Sequence, residues 1–166
     1  ALTIPESVEN IGDILRRCNN IKAFYGNSKF VSEDNAFLYK DNFNNYGKWM
    51  IHFASKAGYT EYTIPEGIEG INTDCFYDVE SLKEITFPST IKYVYSADAF
   101  RETYNIEKIY GPNVLDDNRS LVVDGTLLYV APKGLKEYQT PSGVTNLSYG
   151  VLSQKPELES IILSDD

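Results

Sequence analysis

The sequence predicts a mainly β solenoid, a short right-handed coil of about four turns with two inserted β-hairpins. Three observations predict it: a phrase that occurs twice, apolar residues that recur at steps of three, and two insertions that resemble each other. The phrase is clearest between Tyr62 and Pro88, where TIPEGI is followed 23 residues later by TFPSTI. Self-similarity at such a period is typical of repeat proteins, in which each unit buries its apolar face only against neighbouring units.

Four prolines, each followed by apolar residues at the same offsets, define the repeats. The anchors are Pro5, Pro65, Pro88 and Pro141. Apolar residues follow three and six positions later, and the unit ends on an apolar column formed by Phe24, Ile85, Ile109 and Ile161. Steps of three do not fit a helix longer than about two turns, but they fit a coil that bends every few residues. Proline suits those bends because its φ is fixed and it lacks an N–H group.

The two insertions, residues 27–60 and 112–136, share the pattern D-N-x-x-L-x-x-D. The pattern begins at Asp34 in the first insertion and at Asp117 in the second. In the second, Asp124-Gly125 lies between alternating apolar runs and predicts the two-residue turn of a β-hairpin. The first insertion has a longer loop, DNFNNYGK, at the same place. Repeats are therefore expected to start near residues 2, 62, 85 and 138, with a hairpin in the first and the third.

Composition and charge exclude several classes of function. The chain has 166 residues, of which 42% are hydrophobic, and a formal net charge of -9. This charge argues against nucleic acid as a partner, because binding a polyanion requires a basic stripe. It also argues against adsorption to anionic membranes. No apolar run approaches the ~20 residues that a membrane span needs, so no membrane insertion of this segment is predicted.

The unit TIPEGIEGI…CF…SLKEITFP resembles the BspA-like leucine-rich repeat, a bacterial surface class with the pattern IPxxVxxIxxxAFxxCxxLxxI. Cys75-Phe76 and Ala99-Phe100 match the A-F corner of that pattern, and the insertions are similar to those of Bacteroides-type members. The resemblance covers nearly the whole chain and implies a single leucine-rich-repeat domain over residues 1–166. It also implies a secreted or cell-surface protein of an anaerobic gut or oral bacterium. The family is associated with adhesion to host proteins and other cells.

The sequence offers few candidates for catalysis or metal binding. The one histidine, His52, has no nucleophile motif nearby, so we expect a partly exposed structural side chain. Cys18 and Cys75 are expected to be small buried hydrophobes, and Lys155 is expected at an open end of the solenoid that tolerates a polar residue. No cofactor and no metal is predicted.

The acidic pairs Glu33-Asp34 and Asp116-Asp117 stand at corresponding places in the two insertions. They either supply oxygen ligands for calcium or form Asx turns where the chain enters each hairpin. Neither pair has the dense spacing of a calcium loop, so the turn is the favoured interpretation.

Outward positions on the predicted strands form the candidate binding surface. Tyrosine is abundant, with 13 in the chain, and it offers a large contact area at low entropic cost. Strands also favour tyrosine for structural reasons alone. Alignment of the strands places outward side chains of successive repeats in three ladders, which are Lys22–Lys83–Glu107–Glu159, Ala23–Glu84–Lys108–Ser160 and Tyr25–Thr86–Tyr110–Ile162. The candidate binding residues are Tyr25, Lys83, Thr86, Lys108 and Tyr110.

These observations favour a non-enzymatic, extracellular or cell-surface module for binding or adhesion. Its partner would be a host or bacterial surface protein, or a glycan, met on the strand-bearing face or at the hairpin tips. One alternative is a structural spacer in a larger surface protein, in which Tyr25 and Tyr110 would be mostly buried. Another is a glycan-active enzyme, which would need a cleft with two close carboxylates. No signal or anchor segment is visible, so we expect a fragment or the mature part of a longer secreted chain.

Overall fold

The computed structural model describes residues 1–164, so the last two residues of the predicted domain lie outside the described part. Within it the regular elements are short strands and two 3-10 helices, Phe43–Asn45 and Ala97–Phe100, without any α-helix. In chain order the strands are β1 (Leu2–Thr3), β2 (Phe24–Tyr25), β3 (Phe37–Lys40), β4 (Trp49–Phe53), β5 (Glu61–Thr63), β6 (Gly70–Ile71), β7 (Glu84–Thr86), β8 (Tyr93–Val94), β9 (Lys108–Tyr110), β10 (Ser120–Val123), β11 (Thr126–Val130), β12 (Glu137–Gln139), β13 (Asn146–Leu147) and β14 (Ser160–Ile162). The mainly β solenoid is confirmed. None of the described helical segments has the length and apolarity that a bilayer crossing requires.

A first strand series runs in parallel along the solenoid. It consists of the groups β1–β2, β5–β7–β9 and β12–β14, and the members of each group pair with one another. In the middle group Tyr62 pairs with Ile85, and Ile85 pairs with Ile109. All three side chains are buried. Because side chains alternate along a strand, the residues on either side of these three face outward.

A second strand series consists of β4–β6–β8 and β11–β13, which also pair in parallel. Its leading strands, β4 and β11, each pair in addition with the preceding strand, β3 or β10, in antiparallel fashion. The β10–β11 connection places Asp124 at a φ of 47° and Gly125 at a φ of 72°. A two-residue turn of the type that matches strand twist needs φ above zero at both positions.

The prediction of about four turns with two inserted hairpins is not confirmed. The strands of the first series begin at residues 2, 24, 61, 84, 108, 137 and 160, which gives a solenoid of about seven turns. Antiparallel pairs do lie within both predicted insertions, but β4 and β11 continue the second series, so each insertion is itself part of a turn. The spacings of 60 residues from Pro5 to Pro65 and 53 residues from Pro88 to Pro141 therefore each hold two turns.

A stack of four aromatic rings, here called the aromatic spine, runs through the core. The ring centres are 4.7 Å apart between Phe53 and Phe76, 4.8 Å between Phe76 and Phe100, and 4.2 Å between Phe100 and Tyr129. All four side chains are buried. Phe53 belongs to β4 and Tyr129 to β11, so the two insertions supply both ends of the spine. Burial of such large rings is a major source of stabilisation.

The anchor prolines bend the coil in the predicted way. Each lies two residues beyond the end of a strand of the first series. Its carbonyl accepts a hydrogen bond from the N–H group three residues later, as between Pro88 and Ile91 at 3.3 Å. Proline favours this position because its ring fixes φ and no strand hydrogen bond is lost.

Cys18 and Lys155 differ from their predicted burial. Cys75 is buried, but Cys18 is exposed, because a tight turn with Arg17 at a φ of 59° carries it to the surface. Lys155, expected at an open end, is only 9% exposed, and its Nζ lies 5.0 Å from the centre of the Tyr129 ring. Burial lowers the pKa of Lys155 to about 8. The aromatic ring face supplies the attraction that offsets part of the desolvation of this ammonium group.

Candidate functional site

The outward side of β5, β7 and β9, here called the strand face, carries two ladders of side chains. They are Glu61–Glu84–Lys108 and Thr63–Thr86–Tyr110. Neighbouring strands lie about 4.8 Å apart, so each ladder is a continuous strip of surface. The expected alignment of Glu84 with Lys108 and of Thr86 with Tyr110 is confirmed by the strand register.

The structure brings four of the five predicted binding residues together. Thr86 and Tyr110 are half-buried neighbours, Lys108 is exposed on the same strand as Tyr110, and Lys83 is exposed directly before β7. Tyr25 stands apart, because β2 pairs only with β1 and belongs to a different group of the first series. Tyr25 is 48% exposed. Tyr25 is therefore not mostly buried, as the spacer alternative would require, whereas Tyr110 is only partly exposed and does meet that condition.

An open depression of about 350 Å³ lies on the strand face. Its lining residues are Tyr59, Glu61, Tyr62, Thr63, Glu84, Thr86 and Tyr110. The depression therefore combines aromatic rings, hydroxyl groups and two carboxylates. Its volume lies at the lower end of the range of roughly 300–1,000 Å³ that is usual for small-molecule sites.

The aromatic wall of this depression is fixed from below. The Tyr62 ring lies 4.8 Å from Phe53 and 5.2 Å from Tyr59, measured between ring centres. The Tyr62 hydroxyl donates a hydrogen bond of 2.7 Å to Oδ2 of Asp34. Burial raises the pKa of Tyr62, and the bond to Asp34 raises it further. This phenol is therefore a neutral, fixed donor rather than a titrating group at neutral pH.

The acidic pairs of the two insertions form Asx turns. Oδ1 of Asp34 accepts the Ala36 N–H at 3.1 Å, and Oδ1 of Asp117 accepts the N–H groups of Arg119 at 2.8 Å and Ser120 at 2.9 Å. Bonds of this kind to the backbone two residues on define the turn. Within residues 1–164, no three His, Cys, Asp or Glu side chains are grouped closely enough to hold a metal ion.

The depression contains two neighbouring carboxylates, Glu61 and Glu84, and a glycosidase also uses two carboxylates in its active site. Glu61 and Glu84 are directly opposite each other on adjacent strands. A glycosidase keeps one of its two carboxyl groups protonated, usually by placing it in an apolar pocket. Here Glu61 is exposed and Glu84 is half-buried in an open surface. Neither carboxylate is therefore enclosed in an apolar pocket of the kind that a glycosidase uses.

The sequence of residues 51–166 matches the profile of a protein family described as the BspA type leucine-rich repeat region, six copies. The chain belongs to the BspA-type leucine-rich repeat family. The match begins inside β4, which agrees with the finding that the first insertion is part of a solenoid turn. No curated protein matches this chain in sequence.

Solved structures of other proteins are similar to this BspA-type chain in fold. A leucine-rich cell surface protein from Faecalibacterium prausnitzii aligns with 99% of this chain at 19% identity and a TM-score of 0.67. The pneumococcal vaccine antigen PcpA aligns with 98% at 22% identity and a TM-score of 0.51, and a Treponema pallidum leucine-rich repeat protein aligns with 79% at 15% identity and 0.53. The chain spans 48% of the F. prausnitzii structure, 38% of PcpA and 70% of the T. pallidum protein.

His52 of this BspA-type chain is 4% exposed, so the expectation of a partly exposed side chain is wrong. It is buried because a loop of the first turn lies over it. The N–H group of Leu15 donates a 3.3 Å hydrogen bond to His52 Nε2, and Oδ1 of Asp13 lies 3.3 Å from the same atom. Burial lowers the pKa of His52 to about 4, although the carboxylates of Asp13 and Asp74 act in the opposite direction. The neutral imidazole therefore acts as a structural acceptor.

Sequence reasoning missed a second exposed feature of the BspA-type chain, a cluster of aromatic rings over the second strand series. Trp49 and Tyr93 stack with their ring centres 5.6 Å apart and their planes 13° apart. The sequence feature that could have indicated this cluster is Gly70, which lies on β6 between the strands that carry Trp49 and Tyr93. A glycine inside a strand often marks the close approach of another group.

Proposed function

We propose that this chain is a non-enzymatic binding module at the cell surface or outside the cell, and that it recognises a surface protein or glycan through the strand face. The single observation that carries this proposal is the depression between Tyr59, Glu84 and Tyr110. It presents the Tyr110 ring and two carboxylates, Glu61 and Glu84, that form no salt bridge with another described residue, beside the core-packed rings of Tyr59 and Tyr62. The cell-surface description of the F. prausnitzii protein supports the location.

A protein partner is favoured by the pattern of charge on the strand face. Glu61 and Glu84 lie beside Lys83 and Lys108, and none of these four forms a salt bridge with another described residue. A mixed pattern of free charges is suited to a partner with complementary charges, which gives specificity and speeds association. Tyr110 adds the kind of ring that often dominates binding energy at interfaces.

The test begins with an array of extracellular matrix proteins, bacterial surface proteins and glycans probed with the purified chain. Tyr110→Ala and Lys108→Glu are then compared with wild type for each partner found. The expected result is a loss of about tenfold in affinity for Tyr110→Ala. For Lys108→Glu we expect a slower association rate whose difference from wild type shrinks in high salt.

Two controls sharpen this experiment. Tyr149→Ala removes a tyrosine that is 88% exposed but lies outside the strand face, so binding should not change. Tyr25→Ala asks whether the separate β1–β2 group contributes. Absence of binding above background across the array would favour the spacer alternative. Release of sugar reducing ends that is lost in Glu61→Gln and Glu84→Gln would favour the enzyme alternative instead.

A further inference from the structure

Four aromatic side chains form a cluster, here called the aromatic platform, over the second strand series. They are Phe43, Tyr46, Trp49 and Tyr93. The Phe43 and Trp49 rings are 5.3 Å apart between centres, and the Tyr46 and Tyr93 rings are 5.6 Å apart. The stacked pair of Trp49 and Tyr93 joins these two contacts into one continuous aromatic surface.

Gly70 makes the stacking possible. Trp49 pairs with Gly70, and Gly70 pairs with Tyr93, so the two rings start from strands that are not neighbours. Two strand spacings separate their backbones by roughly 9–10 Å. The rings close that distance over Gly70, where an added Cβ would lie 2.3 Å from the Trp49 ring. The platform therefore depends on the absence of a side chain at this position.

The loop that carries Tyr46 is fixed by its own backbone. Asn42, Asn45 and Gly47 have φ values of 53°, 65° and 64°, and the Tyr46 N–H donates to the Phe43 carbonyl at 2.9 Å. The indole N–H of Trp49 donates to the carbonyl of Tyr46. A surface that is ordered before binding loses less entropy when a ligand arrives.

The platform exposes tyrosine rings and hides the tryptophan. Tyr46 is 57% exposed and Tyr93 is 40% exposed, whereas Trp49 is 5% exposed beneath them. Exposed aromatic groups that form a contiguous patch commonly mark a site of interaction. The apolar part of this patch consists of flat rings.

The charges that border the platform cancel. Lys92 Nζ lies 2.6 Å from Oε1 of Glu69, and Lys48 Nζ lies 3.7 Å from Oδ1 of Asp41. Both carboxylates are thus paired with lysines, although the chain as a whole carries a net charge of -9. This local neutrality favours a neutral ligand, because a cationic or an anionic ligand would meet no patch of opposite charge here.

We infer that the aromatic platform binds a neutral saccharide, at a site separate from the strand face. One face of a pyranose ring presents C–H groups in a flat array, and these are attracted to the electron-rich face of a tyrosine ring. Its hydroxyl groups would meet the polar side chains at the border, Glu69, Lys92 and Asp41. An amphipathic helix is a poorer match, since helices dock through apolar anchors in grooves.

The chain contains its own reporter for this test. Trp49 is the single tryptophan and lies under Tyr93 in the platform. The experiment titrates maltohexaose, cellohexaose, mannohexaose and chitohexaose while tryptophan fluorescence is recorded. Hexalysine and a heparin hexasaccharide serve as cationic and anionic probes. The expected result is a saturable change in emission with at least one neutral hexasaccharide and with neither charged probe.

Variants locate the site. Tyr46→Ala, at an exposed loop position, should weaken binding of that hexasaccharide by about tenfold, as should Tyr93→Ala. Tyr93→Phe keeps the ring and should stay within about twofold of wild type. Tyr149→Ala is the matched control, and Tyr110→Ala tests whether the saccharide binds on the strand face instead. If Tyr93→Ala fails to fold, Tyr46→Ala alone decides the question.

Three outcomes would overturn the inference. The first is the absence of a saturable signal with every neutral hexasaccharide. The second is tighter binding of hexalysine or of the heparin hexasaccharide, which would make the ligand charged. The third is saccharide binding that survives Tyr46→Ala but is lost in Tyr110→Ala, which would move the saccharide to the strand face.

Discussion

The two insertions begin alike and end differently. Both contain an Asx turn, at Asp34 and Asp117, and both follow it with a completely buried leucine, Leu38 or Leu121. Both then add an antiparallel pair whose later strand joins the second series. The shared pattern D-N-x-x-L-x-x-D therefore encodes a way of building one longer turn of the solenoid.

The two insertions differ in the residue that pairs with the buried leucine and in the tip, the connection between the two antiparallel strands. Leu38 pairs with His52, whereas Leu121 pairs with Tyr129. His52 receives the Leu15 N–H from an earlier turn, while Tyr129 packs on Phe100 of an earlier turn. The first tip is a 3-10 turn that carries part of the aromatic platform, and the second is a two-residue turn. The comparison teaches that the motif specifies the interior of the turn and leaves its tip free to vary.

The largest expected effect tests whether both insertions belong to the core. Phe53→Ala and Tyr129→Ala each remove one end of the aromatic spine, and each should lower the free energy of unfolding by about 3–5 kcal/mol. Urea denaturation followed by circular dichroism measures both, with Tyr149→Ala as the control. A cost below about 1 kcal/mol for either variant would mean that its insertion is an appendage.

An effect of intermediate size, the dependence of stability on pH, is expected for His52 and not for Tyr129, which occupies the corresponding position in the second insertion. The pKa of His52 falls from 6.5 to about 4 on folding, so the folded state favours the neutral imidazole. Its stabilisation is complete above pH 6.5 and is lost as the pH falls towards 4, by about 3 kcal/mol in total. His52→Leu removes this titration and leaves the two carboxylates that face the ring, Asp13 and Asp74, in place.

The measurement is the free energy of unfolding of wild type and His52→Leu at a series of pH values. The difference between the two proteins should change between pH 6.5 and pH 4 in favour of the variant. A difference that stays constant across this range would show that the imidazole is not held neutral by burial.

The smallest effect concerns the two Asx turns. Asp34→Ala leaves the Ala36 N–H group and the Tyr62 hydroxyl without their acceptor, and Asp117→Ala leaves the N–H groups of Arg119 and Ser120 without theirs. Each variant should cost about 1–2 kcal/mol. Thermal unfolding measures both costs, and they should be similar because each variant removes the acceptor of these two donors. A rise in the wild-type unfolding midpoint with added calcium chloride, lost in either variant, would instead indicate that the carboxylates bind the ion.

Local spacing was sufficient to predict much of the fold. The offsets after each proline gave the register of Glu84 with Lys108, and the turn preferences of Asp34 and Asp117 gave the Asx turns. These features depend on residues close in the chain.

The number of turns was wrong because neither insertion keeps the full anchor pattern. Asn27 stands at the proline position in the first, and Asn118 replaces the apolar residue six positions after Pro112 in the second. A complete turn was therefore interpreted as an addition to another.

Features that depend on contacts between turns were not predictable from spacing. His52 is buried by a loop whose contacting residue, Leu15, lies 37 positions earlier in the chain. No residue close to His52 in the sequence indicates that contact. The aromatic platform needs Trp49 and Tyr93 to meet over Gly70, so it depends on the pairing of three strands. Only Tyr25 was misplaced among the candidate residues, because the first insertion separates β2 from β5.

The division of the core into separate clusters governs how the molecule should fray. Its buried side chains form a large central cluster and two smaller ones at the ends. Since turns of a solenoid touch only their neighbours, amide hydrogens at the ends should exchange with solvent at lower opening energies than those in the middle. Tyr62, Ile85 and Ile109 below the strand face, and Met50, Ile71 and Val94 below the aromatic platform, all belong to the central cluster. The strand face therefore stays formed while the terminal turns open and close. The aromatic platform keeps its Trp49–Tyr93 stack, whereas Phe43 packs on the N-terminal cluster and should loosen with it.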